Sequence, residues 1–314
     1  MAAIGLGYLD GFLTVPLLLA LVAVISILWD FAWASSNAAP GLILTPEEQF
    51  AASGVAGAVG GATTLIGYGF GGFLLIDIGP AAGMLIYAVL LGLAAVFALP
   101  LQVSASTPAP SNFARSFREG WSQVAAGPGA PLLQLASVDA IQGLFASLPG
   151  LLVTLTSVAY FQGSTLDYGI LFTTYVGGGV AASVSTGQWN PRSRVGSVLL
   201  GGLGLAAAGF GALAVLPHNL ILLSLGWFTA GFATTMYTTA RFAYLRGAIA
   251  PERLGRVFSN LYLFPGTAAS FGAVVFGGLA VHGSPGGIAT LVAVGFALAA
   301  VCAASLPGVR ALRY

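Results

Sequence analysis

RFAYLRGAIAPERLGRVFS, residues 241–259, carries four of the chain's ten arginines, Arg241, Arg246, Arg253 and Arg256, between two long runs that are almost free of charge. A basic segment between hydrophobic spans marks the cytoplasmic side of a membrane protein, because Arg and Lys resist translocation far more than acids do. Fixing this segment inside gives every other segment a direction.

Composition supports that reading. Hydrophobic residues make up 57% of the 314 and charged residues 6%, with a mean hydropathy of +0.94, whereas soluble domains carry roughly a quarter charged residues. The fold class expected is an all-α polytopic membrane protein, since helices satisfy their own backbone groups in lipid. The net charge of +1 and the scattered arginines leave no nucleic-acid footprint. Without any lysine there is neither a P-loop nor a Schiff base, and with the single Cys302 there is no disulfide or CxxC site within one chain. No metal or cofactor site is expected, and no enzyme activity.

A span needs about 20 apolar residues. Candidates run from Pro16 to Asn37, Glu47 to Leu75, Pro80 to Leu99, Pro131 to Tyr160, Tyr168 to Ser185, Val195 to Leu216, Asn219 to Ala240, Val257 to Val281 and Gly287 to Leu306, after a partial span over residues 1–13. Several open on Pro, whose missing N–H costs nothing in a first turn. Counting outward from the basic segment puts all ten arginines on one side, in residues 101–130, 186–194, 241–256 and 307–314. The linker and the C-terminus are therefore expected to be cytoplasmic. Within the Ser/Pro/Ala/Gly-rich stretch 101–130, Phe113, Phe117 and Trp121 recur every fourth residue, which predicts an amphipathic helix on the inner membrane surface.

An internal repeat divides the chain. PEEQFAASGV begins at Pro46 and PERLGRVFSN at Pro251, and each opens an apolar run that closes on a glycine pair, Gly71-Gly72 or Gly277-Gly278. Parallel repeats of this kind build a large class of secondary transporters. The expected organisation is an N-terminal bundle over 1–105, a linker over 106–130 and a six-helix bundle over 131–314. The same repeat predicts about two helices upstream of Met1, by the length each span requires.

These segments resemble the major facilitator superfamily, in particular its drug- and siderophore-exporter branch. PERLGRVFS resembles the opening of the eleventh family helix and TPEEQFAASGV that of the fifth, GFGGFLLIDIGPAAG resembles the Gly-Gly end of the fifth, and YGILFTTYVGGGVAAS the eighth. The resemblance implies two helix bundles and transport of a small organic solute by alternating access, coupled to an ion such as the proton, in the plasma membrane. It makes residues 1–13 the end of the third helix. It also implies a cytoplasmic gate involving Arg192, Arg194, Glu252 and Arg256, although GQWNPRSR (187–194) has Pro191 where the family's acid usually stands; the alternative reading is that these arginines only set topology.

Only Asp30 and Asp139 are acids inside spans. A carboxylate at membrane depth costs at least ~2.5 kcal/mol, so it faces a cavity or a partner. Counted at 1.5 Å per residue, the two lie at similar depth, and the resemblance places them on the cavity-lining fourth and seventh helices. Gln142 shares a face with Asp139, and TTMYTTAR adds Thr235, the repeat partner of Asp30, and Tyr237. These five are the substrate or coupling candidates. The alternatives are acids hydrogen-bonded structurally and hydroxyls bonded to their own helix. For the chain as a whole the alternatives are a non-transporting remnant of such a transporter and an integral-membrane transferase. Gly177–Gly179 and the run from Gly201 are expected to be close-packing surfaces.

Overall fold

The computed structural model describes residues 2–18, 46–99, 113–125, 130–187, 195–280 and 283–312, together with scattered positions between 20 and 44. Every element among them is helical: α1 Ala2–Leu9, α2 Pro46–Ala98, α3 Phe113–Val124, α4 Pro131–Phe145, α5 Leu148–Phe161, α6 Thr165–Gly187, α7 Val195–Val215, α8 Leu220–Ala248, α9 Pro251–Ala280, α10 Pro285–Ser305 and α11 Pro307–Arg310. Pro opens five of these helices, as its fixed φ and missing donor favour. Others begin on side-chain caps. Asn219 accepts from the Ile221 and Leu222 amides at 2.9 and 3.3 Å, and Ser284 accepts from the Gly287 amide at 3.1 Å.

Among the described residues, six helices are long and apolar enough to cross a membrane: Ala81–Ala98, Pro131–Phe161 (α4 and α5 joined across the turn at Ala146-Ser147), α7, α8, Arg253–Leu279 within α9, and α10. The chain is a membrane-embedded, multi-pass helical protein. The expected span Pro16 to Asn37 lies largely outside the described residues. The expected span Tyr168 to Ser185 is the 23-residue α6, which falls outside these six.

Two boundaries differ from the sequence reading. The expected loop around Asp77 is instead one residue: α2 runs through it and breaks at Gly79, whose φ of 77° and ψ of 165° suit glycine and interrupt the helix just before Pro80. The basic stretch 241–259 is also not a loop. Helix α8 continues to Ala248, α9 starts at Pro251, and Arg241 and Arg246 are buried within α8. Arg241, expected in a basic loop, is instead paired with the Asp139 carboxylate of another helix.

The core lies between α7, α8 and α10, where Phe210 stacks on Phe296 with centroids 5.4 Å apart and meets the Trp227 ring edge-on at 6.0 Å. Small residues bring the helices this close. A Cβ on Gly178 of α6 would strike the backbone of Phe228 in α8, and one on Gly231 of α8 would strike that of Tyr175 in α6. Gly202 and Gly209 let α7 approach α8 in the same way, so the glycine runs pack helices as expected. The N-terminal part of α2 lies against α6 and α8 through Gly57 and Gly61. By contrast, Ala81–Ala98 turns an almost wholly exposed apolar surface outward, with Phe97 78% exposed, an arrangement suited to lipid.

Helix α3 packs on protein. Trp121 stacks on Phe264 of α9 at 5.3 Å, the Asn260 side-chain amide donates to the Phe117 carbonyl at 3.0 Å, and Val124 is fully buried. The aromatic seam expected to face the bilayer is thus divided: Trp121 faces α9, while Phe117 remains 43% exposed.

Candidate functional site

Helix α4 carries Asp139, and α8 carries Tyr237 and Arg241 one turn apart, a spacing that aims both side chains at one neighbour. They converge on the carboxylate: the Tyr237 hydroxyl donates to Oδ1 at 2.6 Å, and Arg241 Nε lies 2.6 Å from Oδ2. The second contact is an ion pair without an aligned hydrogen bond. All three residues are buried, Asp139 being 1% exposed. The Arg241 guanidinium also lies 5.1 Å from the centroid of the Phe242 ring, a favourable cation–π distance. Such a group is costly to bury in pieces and tolerable only complete.

One turn beyond Asp139, Gln142 reaches the wall of a cavity of about 430 Å³. Ala56 and Gly57 of α2 form one side of it, and Pro149, Tyr175 and Phe296 come from α5, α6 and α10. Helix α8 contributes the largest share of the wall through Thr234, Thr235, Thr238 and Thr239, followed by Phe242 and Arg246. Thr234 donates to the Ala230 carbonyl at 2.9 Å and lies 3.1 Å from the Tyr175 hydroxyl, and Thr238 donates to the Thr234 carbonyl at 2.8 Å. Bonding to their own helix and lining a cavity therefore coexist, because a hydroxyl that donates backward keeps its lone pairs for a ligand.

The structure brings Asp139 and Tyr237 together behind the wall, and places Gln142 and Thr235 on it. Asp30, Arg192 and Arg194 lie outside the described residues. Glu252 occupies the first turn of α9. Arg256 pairs with Glu119 of α3 at 2.8 Å, and Arg253 donates to Gln123 at 2.8 Å, so the N-terminal end of α9 is joined to the linker helix. Both members of the Arg256–Glu119 pair are substantially exposed, so its contribution is at most about 1 kcal/mol.

Sequence reasoning missed three participants. Arg241 was assigned to a loop because the apolar run ends at Ala240, although its i, i+4 relation to Tyr237 was visible. Arg246 was missed for the same reason. Tyr175 is one aromatic among many in YGILFTTYVGGG and carries no local signal of its contact with Thr234. No family model matches this chain, and no curated protein or solved structure matches it either.

Proposed function

We propose that the chain is a secondary transporter of the major facilitator type, close to its drug- and siderophore-exporter branch, moving a small organic solute outward by alternating access between two helix bundles. The observation that carries this reading is the hydroxyl- and amide-lined cavity between α2 and the helices that follow the linker. A cavity of about 430 Å³ falls within the 300–1,000 Å³ usual for small-molecule sites. Polar walls inside otherwise apolar spans are costly unless a solute or water uses them. The basic segments at alternate chain positions support a plasma-membrane orientation with the linker and C-terminus cytoplasmic. Ion coupling would draw on Asp139, whose buried carboxylate is held between Tyr237 and Arg241.

The test is efflux from proteoliposomes loaded with a mixture of small organic acids, alcohols and amines, followed by mass spectrometry. At least one solute should leave faster from vesicles with the natural protein than from vesicles with Thr238→Trp, which fills the cavity from a position exposed to it. Equal loss of every solute from both would discard the transport reading.

A further inference from the structure

We propose that this cavity takes an uncharged, ring-shaped polyhydroxy compound such as a glycoside, with its hydroxyls along the threonine face of α8 and its carbon face against Phe242 and Phe296. The inference names the substrate class within the transport reading and rests on that reading for its biological sense, but the binding it asserts is measurable without transport.

The placement of hydroxyl hydrogens decides the class. Thr234 commits its one hydroxyl hydrogen to its own helix, 2.9 Å from the Ala230 carbonyl and 3.2 Å from that of Gly231. The Tyr175 hydroxyl, 3.1 Å away, must therefore donate to Thr234. Thr238 donates to the Thr234 carbonyl at 2.8 Å. Three hydroxyls on the wall are thus left as acceptors, and they call for donors on the ligand. Thr239 and Gln142 stand on the same wall with no hydrogen-bond partner among the described residues. Thr239 is only 7% exposed, so its hydroxyl has little but the cavity to turn to. An unpartnered hydroxyl at that depth is costly until a ligand or water meets it.

Neither sign of charge finds an open counter-ion here. The Asp139 carboxylate is held between Tyr237 and Arg241, and the wall carries no carboxylate among the described residues. An ammonium would therefore lose its hydration without gaining a partner. Arg241 is committed to Asp139, and Arg246 is already engaged within the protein, by the Phe242 ring at 5.8 Å and by a further partner. The groups left open are hydroxyl and amide, which suit a neutral solute. Water bonds to those groups too, but it makes no such bonds with the faces of Phe242 and Phe296. A ring polyol reproduces the hydrogen bonds of water at the threonines and covers the aromatic faces with its C–H bonds, so it displaces water favourably.

The experiment is calorimetric titration of the full chain in nanodiscs of zwitterionic lipid with four probes that share one skeleton: phenyl glucoside, phenyl glucuronide, phenyl glucosaminide and the hydroxyl-free phenoxytetrahydropyran. Slightly acidic buffer keeps the amine charged. The glucoside should bind at least about tenfold more tightly than each of the other three, since several hydrogen bonds or an unpaired charge separate them. T239V keeps the shape of the side chain and removes its hydroxyl. It should weaken the glucoside by about three- to tenfold, as the loss of one hydrogen bond implies, without lowering thermal stability, because the hydroxyl has no partner in the empty protein. A merely structural threonine would show the opposite pattern. The proposal is overturned if a charged or hydroxyl-free probe matches the glucoside, if no probe binds, or if folded T239V keeps full affinity. Should T239V fail to fold, the probe ranking on the natural protein and the loss of glucoside affinity in Q142M decide. Glucoside binding without efflux from proteoliposomes would sink transport and leave the site standing, whereas efflux of charged or hydroxyl-free solutes without glucoside binding would do the reverse.

Discussion

Asp139 illustrates what a charge inside an apolar span requires of its neighbours. Its carboxylate receives Tyr237 on one oxygen and Arg241 on the other, both at 2.6 Å, and water reaches almost none of it. Removing one partner of such a pair leaves an uncompensated buried charge, at a cost of about 3–5 kcal/mol, whereas replacing both with apolar side chains of similar volume is often neutral. Asp139→Leu and Arg241→Met should therefore each lower unfolding stability by several kcal/mol in detergent, and the double variant should recover most of the loss. Additive losses would show that the two side chains act separately. Tyr237→Phe removes one hydrogen bond to a charged acceptor and should cost about 1.5–3 kcal/mol. Part of this site was legible in the sequence. An acid in an apolar run and a tyrosine in a threonine-rich one stood out, but the contact spans 98 residues of chain, and the i, i+4 relation of Tyr237 to Arg241 points to a shared face only once the helix is known to continue past Ala240.

Helix contacts make sharper distinctions than the sequence pattern does. Gly177, Gly178 and Gly179 are indistinguishable as a small-residue run, yet a Cβ on Gly177 meets nothing within 4 Å, while one on Gly178 collides with the α8 backbone. Gly177→Ala should be stabilising by about 0.5–1 kcal/mol through helix propensity. Gly178→Val must push α6 from α8 and should cost at least about 1–3 kcal/mol, the usual range for overpacking. Thermal unfolding of the two variants checks both signs. The linker helix offers a second contrast. Trp121 stacks on Phe264 beside a buried Val124, whereas the Arg256–Glu119 pair is exposed. Trp121→Ala should raise amide hydrogen exchange across residues 113–124 well above the natural protein, and Glu119→Ala should barely change it. The period-four aromatics made this helix readable, since Phe113–Val124 is helical as expected. Its docking partner was not readable, because an amphipathic face looks the same whether lipid or another helix covers it.

At the scale of the whole molecule, direction in the membrane follows from where positive charge lies outside the buried helix interior. The sequence reading counted Arg241 and Arg246 among the inner-side charges, but Arg241 is neutralised by Asp139 and both are buried in α8. The orientation argument therefore weakens at this segment and rests on Arg253 and Arg256 there, with Arg115 and Arg118 in the linker, Arg192 and Arg194, and Arg310 and Arg313 near the C-terminus. Those eight still fall at alternate connections between apolar segments, as positive-inside placement requires. The multi-pass helical character was legible because hydropathy acts locally, and six of the expected apolar spans are helices long enough to cross a membrane among the described residues. The break at Gly79 was not, because Asp77 reads as a loop residue while the helix continues through it. Replacing Cys302 with Ala, which alters one half-buried side chain, leaves a background in which single cysteines can be placed at Ser111 and Ala311. In sealed cells both should resist a membrane-impermeant maleimide and react once the membrane is permeabilised. A cysteine at Gly163, in the exposed turn between α5 and α6, should react from outside. Labelling of Ser111→Cys in sealed cells with protection of Gly163→Cys would invert the orientation, and it would place the Arg246 end of the cavity on the outer face.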